Sequence, residues 1–144
     1  MEEGLKEFYL AMAQEMESGE AQKMFHKLAE IETVHKHQLF SLYLRTSNES
    51  IDQDSFERKI TTDKMEGGFT TQEFLEQNSA LLQSTEDIIS VAMMLETQSL
   101  DLYLRFTAAL EDQAAKDVLF ELSEQEKDHL TILGDLLENL QSRF

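Results

Sequence analysis

Residues 2–42 and 96–136 are two copies of one segment. At a constant offset of 94 and without a gap, the same residue recurs at eleven positions. The pairs are Glu2 and Glu96, Tyr9 and Tyr103, Leu10 and Leu104, Glu17 and Glu111, Ala21 and Ala115, Leu28 and Leu122. They continue with Glu30 and Glu124, Glu32 and Glu126, His35 and His129, Leu39 and Leu133, and Leu42 and Leu136. Chance composition would give roughly three. Each copy is therefore one supersecondary unit that buries its apolar face against the other.

Each unit reads as a helical hairpin. The chain has no proline and only five glycines in 144 residues, and its abundant Leu, Glu, Ala, Met and Gln favour long helices. The spacing predicts a first helix over about 2–17, with Leu5, Tyr9, Met12 and Met16 on one stripe. "ESGE" breaks it at Gly19, and a second helix follows over about 21–45, with Phe25, Leu28, Ile31, Leu39 and Leu42 facing inward. A third starts near Ser84, which with Asp87 has the spacing of a capping box, and continues to about residue 110. "EDQAAK" makes a turn before a fourth helix over about 116–141, whose stripe is Leu119, Leu122, Leu133, Leu136 and Leu140.

Residues 46–83 are polar, contain Gly67 and Gly68, and hold one short helical candidate, "TTQEFLEQ". Two hairpins with a long connection between them predict an all-α four-helix bundle with one crossover, a single domain over 1–144. Short turns and degraded heptads disfavour a coiled-coil rod.

The helical phase then raises a problem. In "LAEIETVHKHQLF", residues 28–40, Glu32 and His35 share a stripe with Leu28, Leu39 and Leu42. A charge facing a core is costly unless something binds it. One such pair at i, i+3 is common on surfaces, but the fourth helix repeats it as Glu126 and His129 in "LSEQEKDHLTIL". Each hairpin thus offers one glutamate on its first helix, Glu2 or Glu96, and a Glu-x-x-His on its second. Facing hairpins converge four carboxylates and two imidazoles, the ligand set of a carboxylate-bridged dinuclear metal site. Two divalent ions bring four positive charges to four carboxylates. The competing reading, four solvated surface glutamates, conflicts with their position on the apolar stripes.

Other histidines and methionines read differently. His37 points away from His35, and His26, matched by Phe120, reads as partly buried and structural. Met12, Met16, Met24, Met93 and Met94 read as core filling rather than soft metal ligands.

Composition removes other classes. Twelve basic against 29 acidic residues give a net charge of −17, which argues against nucleic acid or an anionic membrane as partner. Cysteine is absent, so the chain has no thiol nucleophile and no cysteine-ligated zinc or iron–sulfur centre. "MEEGLKEFYL" lacks an apolar signal region and no run reaches membrane-spanning length, so a cytoplasmic location is expected.

Over essentially its whole length the chain resembles a rubrerythrin-type, ferritin-like di-iron domain. Glu2 with Tyr9, Glu32-x-x-His35, Glu96 with Tyr103, and Glu126-x-x-His129 carry the resemblance. It implies that Glu32 and Glu126 bridge the metals or serve as inner ligands with His35 and His129, and that Glu2 and Glu96 cap the pair. Tyr9 and Tyr103 would then hydrogen-bond ligand carboxylates; otherwise they are amphipathic core tyrosines.

Three features depart from the family. Typical rubrerythrins append a cysteine-rich rubredoxin module, so here an external donor protein or domain must supply electrons. The family's additional glutamate, three residues before the third-helix ligand, is Met93. Glu2 stands at the start of the chain, which suggests a domain cut from a longer protein or a short first helix that holds one ligand loosely.

The expectation is two iron ions, with manganese or zinc suiting the same ligands. The activity implied is reduction of hydrogen peroxide, or oxidation of ferrous iron by dioxygen or peroxide. Two alternatives stand beside it: a non-catalytic metal-binding or dimerisation module of a larger protein, and a metal-free helical scaffold. A homodimer is expected, because a short first helix leaves apolar surface to cover.

Overall fold

The computed structural model describes residues 1–17, 19–47, 49–59, 64–65 and 68–142. Among them the chain forms six α-helices: α1 (Glu2–Glu15), α2 (Glu20–Thr46), α3 (Gln53–Lys59), α4 (Thr71–Gln77), α5 (Thr85–Ala109) and α6 (Gln113–Gln141). One 3-10 turn, Ser79–Leu81, follows α4. α1 packs on α2 and α5 on α6, and the two hairpins meet chiefly through α2 and α6. This is the all-α, ferritin-like bundle with one crossover that the repeat and the resemblance led us to expect.

Local chemistry sets the boundaries. The Ser84 hydroxyl accepts from the Asp87 amide and the Asp87 carboxylate accepts from the Ser84 amide, both at 3.1 Å, so α5 opens with a capping box. Ser84→Ala is expected to lower stability by about 1 kcal/mol, read as a shifted denaturation midpoint with unchanged slope. α6 begins at Gln113 rather than near Lys116, because the Asp112 carboxylate accepts from the Ala115 amide at 2.7 Å. α1 stops at Glu15, with Met16 extended but buried.

The crossover holds more helix than expected. α3 was not anticipated: Asp52 accepts from the Ser55 amide at 2.8 Å, and Phe56 is buried against Phe40 and Tyr43, with ring centroids 4.9 and 5.3 Å away. Gly67 lies outside the described residues. Gly68 has φ +84°, a conformation that L side chains rarely adopt. The Thr71 hydroxyl donates to the Gly4 carbonyl at 2.9 Å and Phe74 meets Phe8 edge-on, so α4 ties the crossover to α1.

The core is divided. Leu5, Phe8, Phe25, Leu28, Ile89, Leu95 and Leu133 belong to a large apolar cluster. Tyr103, Leu119 and Leu122, with Leu39 and Leu42, form a smaller one. Along α2 and α6 the Glu-x-x-His segments stand between these two clusters, so apolar packing fixes both flanks of the polar layer.

Three expectations are corrected. His26 is exposed, as is Phe120 at its repeat position; both point to solvent. Met94 is 44% exposed, not core. Ile31 is only half-buried, being nearer the edge of the α2 stripe than Leu28. No helix among the described residues is long and apolar enough to cross a membrane.

Candidate metal centre

Every helix of the bundle contributes to one buried cluster. Glu2 comes from α1, Glu32 and His35 from α2, Glu96 from α5, and Glu126 and His129 from α6. All six are 4% exposed or less. Position i, i+3 puts Glu32 beside His35 and Glu126 beside His129 on one face of each helix. Glu2 is the first residue of α1, whose helical bonding starts at once with the Leu5 amide donating to the Met1 carbonyl at 3.0 Å. It is not loosely placed: the His35 Nδ1 lies 3.3 Å from one of its carboxylate oxygens and the Ser99 hydroxyl 3.4 Å from the other.

The imidazoles face the carboxylates through Nδ1. His35 Nδ1 lies 3.3 Å from an oxygen each of Glu2, Glu32 and Glu126. His129 Nδ1 lies 3.0 Å from Glu126, 3.3 Å from Glu96 and 3.6 Å from Glu32. One N–H cannot serve three carboxylates. The two rings are nearly parallel, 15° apart with centroids at 5.3 Å, so they address neighbouring positions.

Ligand atoms within 4.8 Å of one another form two groups: Glu2, Glu32, His35 and Glu126, and Glu32, Glu96, Glu126 and His129. Both contain Glu32 and Glu126. Both oxygens of Glu32, one each of Glu96 and Glu126, and His129 Nδ1 have no hydrogen-bond partner although buried. Unpaired polar atoms in a dry interior are costly, and cations between them remove the cost. Oxygen and imidazole donors suit iron, manganese or zinc, so the residues present fit a metal pair.

Without metal the cluster settles its charge by sharing protons. Burial pushes Glu32 well above the usual carboxylate range, reinforced by the Glu2 charge, and pushes Glu96 up to about 8 against the pull of His129. Burial also opposes charge on Glu126, yet His129 and His35 hold it below that range. The same balance, with His35 winning, lowers Glu2. Burial disfavours imidazolium, but the facing carboxylates, led by Glu126, raise His35 to about 12 and His129 to about 9. Burial thus favours the neutral forms of Glu32 and Glu96, while the facing carboxylates favour the charged forms of His35 and His129.

The tyrosines behave unequally. The Tyr9 hydroxyl donates to Glu96, and burial with nearby carboxylates raises its pKa well above the usual phenol value. Tyr103 is also buried and faces Glu2: burial and the Glu2 and Glu126 charges raise its pKa well above the usual phenol value, while its hydroxyl is not within the tight hydrogen-bond geometry that Tyr9 reaches.

Sequence reasoning missed Ser99 and Gln125. The Ser99 hydroxyl also lies 3.3 Å from Glu126, and His35 Nε2 donates to the Gln125 carboxamide oxygen at 3.0 Å. That bond leaves His35 Nδ1 free for a cation. Their repeat counterparts are Leu5 and Ile31, and a polar residue standing opposite an apolar one was the signal available. Met93, one turn before Glu96, packs on the large apolar cluster beside Gly134. His37 is exposed and apart from the cluster.

The Rubrerythrin family model matches residues 1–137. No curated protein and no solved structure matches the chain.

Proposed function

The chain belongs to the rubrerythrin family, a family of di-iron carboxylate proteins, and from that premise we propose that it holds two iron ions and reduces hydrogen peroxide with electrons from an external donor. The observation that carries this reading is the pair of ligand groups sharing Glu32 and Glu126. In this assignment Glu32 and Glu126 would serve both ions, with Glu2 and His35 holding one and Glu96 and His129 the other. Bound there, a ferrous pair would supply the two electrons that, with two protons, reduce one peroxide to two waters.

The protein's own part is orientation and dryness. Tyr9 holds Glu96 by its O–H, Ser99 stands between Glu2 and Glu126, and Gln125 fixes the His35 ring. The apolar clusters on both flanks keep bulk water from the carboxylates. With no cysteine in the sequence, electrons come from another protein or domain. Ferrous oxidation by dioxygen or peroxide is the near variant of the same chemistry. We further propose a single domain over 1–144 that works in the cytoplasm as a homodimer.

Met93 favours one second reading, a metal-binding or dimerisation module without turnover, because the family's additional glutamate is missing at that position. Metal analysis and an anaerobic peroxide titration of the reduced protein separate the two. About two irons per chain, oxidised stoichiometrically by peroxide, support the reductase. Two irons that stay ferrous under peroxide support the module.

A further inference from the structure

Beside the cluster, with Glu2 in its wall, lies a pocket of about 470 Å³. Its lining is mostly apolar: Leu39 and Leu42 from α2, Phe56 from α3, Leu110 at the end of α5, and Ala115 from α6. Hydrogen peroxide needs about two water volumes, roughly 60 Å³. The space is several times larger, and its size and lining are those of a site for a small organic molecule.

The charges at this pocket select the occupant. Glu2, Glu3 and Asp112 line it together with Met1 and Lys36, and Lys36 is the one basic side chain among the described lining residues. Lys36 is already engaged twice: its Nζ lies 2.5 Å from Glu3 and 3.5 Å from Glu57. An anion entering the pocket finds no unpaired basic side chain among the described lining residues, and the whole chain, at −17, repels it. An ammonium group finds acidic side chains in the majority: Glu3 already pairs with Lys36 and Lys6, and Asp112 has a second carboxylate oxygen besides the one that caps α6.

We propose that this pocket binds a small organic amine, its apolar body against Leu39, Leu42 and Phe56 and its ammonium among the carboxylates of Glu3 and Asp112. The pocket is formed by the start of α1, by α2 and α3, and by the α5–α6 connection, so the crossover helix α3 serves as one wall of a binding site. Phe56 stands there because it packs on Phe40 and Tyr43, and the Lys36–Glu57 pair ties the same helix to α2. Nothing in this proposal needs redox turnover.

The test is calorimetry on the full chain loaded with zinc, which cannot cycle. Three probes share one skeleton: phenethylamine, phenethyl alcohol and phenylacetate. The amine is expected to bind roughly tenfold tighter than the alcohol, with the carboxylate weakest. Thr46→Trp, at an exposed position lining the pocket, should weaken the amine about tenfold by filling space, with zinc content unchanged. Asp112→Asn keeps a good helix cap but removes a charge, and should shrink the preference for amine over alcohol.

Equal affinity for the three probes, preference for phenylacetate, or amine binding untouched by both variants would overturn the proposal. So would the absence of any binding, including the case in which sedimentation shows a second copy of the chain closing the pocket. Because zinc is redox-inert, a failed peroxide titration leaves these outcomes intact and readable.

Discussion

Loading the metal-free chain with ferrous iron or zinc is expected to raise its melting temperature by roughly 8–16 °C. A ligand that binds only the folded state, at a thousandfold above its dissociation constant, stabilises by about 4 kcal/mol. For a domain near 150 residues each kcal/mol moves the midpoint by about 2–4 °C. The stabilisation comes from an interior that is unfinished without cations. Four carboxylate oxygens and one imidazole nitrogen are buried without a hydrogen-bond partner, and the two ligand groups converge on neighbouring positions. Calorimetric melts of metal-free and loaded protein check it. Glu126→Ala removes a residue common to both groups and should abolish the rise. Identical melts for free and loaded wild-type protein, with no metal retained after desalting, would mean that the cluster is a proton-sharing network and nothing more.

The same rise should depend on pH. In the metal-free fold Glu96 has its pKa raised to about 8 and His129 to about 9. Both are raised above their unfolded values, 4.5 and 6.5. Between those limits the folded chain holds protons that the unfolded chain has released. Stability from these groups is therefore complete at low pH and is lost as pH climbs through the folded values. Metal binding runs the other way, since ligands must shed protons first. The gap between loaded and free melting temperatures should widen steadily from pH 5 to pH 9. Near pH 7, loading two divalent ions should release protons, chiefly from the His35 and His129 imidazoliums and the Glu96 carboxyl, measurable by calorimetry in buffers of different ionisation enthalpy.

The six cluster residues were legible from sequence because duplication repeats chemistry and packing together. Glu32 and His35 alone resemble an ordinary surface pair; at an offset of 94, on the same apolar phase, they do not. What the repeat conceals is where its copies diverge. Ser99 stands opposite Leu5, Gln125 opposite Ile31, and Lys36 opposite Leu130, and these three one-sided residues make hydrogen bonds or ion pairs in or beside the cluster. Tyr9 and Tyr103 show the reverse: identical in sequence, yet Tyr9 donates closely to Glu96 while Tyr103 faces Glu2 without so close a bond.

α3 escaped notice for a different reason. Two turns of helix have too few residues to show a period, and its stability rests on one buried ring, Phe56, which tertiary contact alone reveals. His26 was misplaced because its apolar repeat partner, Phe120, is itself exposed, and Met94 because a stripe read from spacing has soft edges. A residue one position off the centre of the stripe, like Met94 beside Met93, turns to solvent.

Glu32→Gln is expected to stabilise the metal-free protein while removing its response to metal. Burial and the neighbouring Glu2 charge raise the Glu32 pKa well above the carboxylate range, so the folded chain must take up a proton that the unfolded chain lacks. That requirement costs nothing below about pH 4.5 and grows as pH rises toward the folded value. Glutamine has the same shape and is neutral in both states, so it escapes the cost. A gain of about 1–3 kcal/mol at pH 7, shrinking to nothing below pH 4.5, is the size expected when a strained buried ionic network is relieved. Both ligand groups contain Glu32, and a carboxamide cannot bring the negative charge that two adjacent cations need. The melting rise on loading should therefore collapse to a small fraction of the wild-type value. An ion-pair network kept for stability predicts the opposite sign, since removing one partner from a buried pair costs about 3–5 kcal/mol. Chemical denaturation of metal-free wild type and variant at pH 4.5 and pH 7 distinguishes these outcomes. A metal-free variant less stable than wild type at both pH values would mean that Glu32 is there to hold the bundle together rather than to hold a cation.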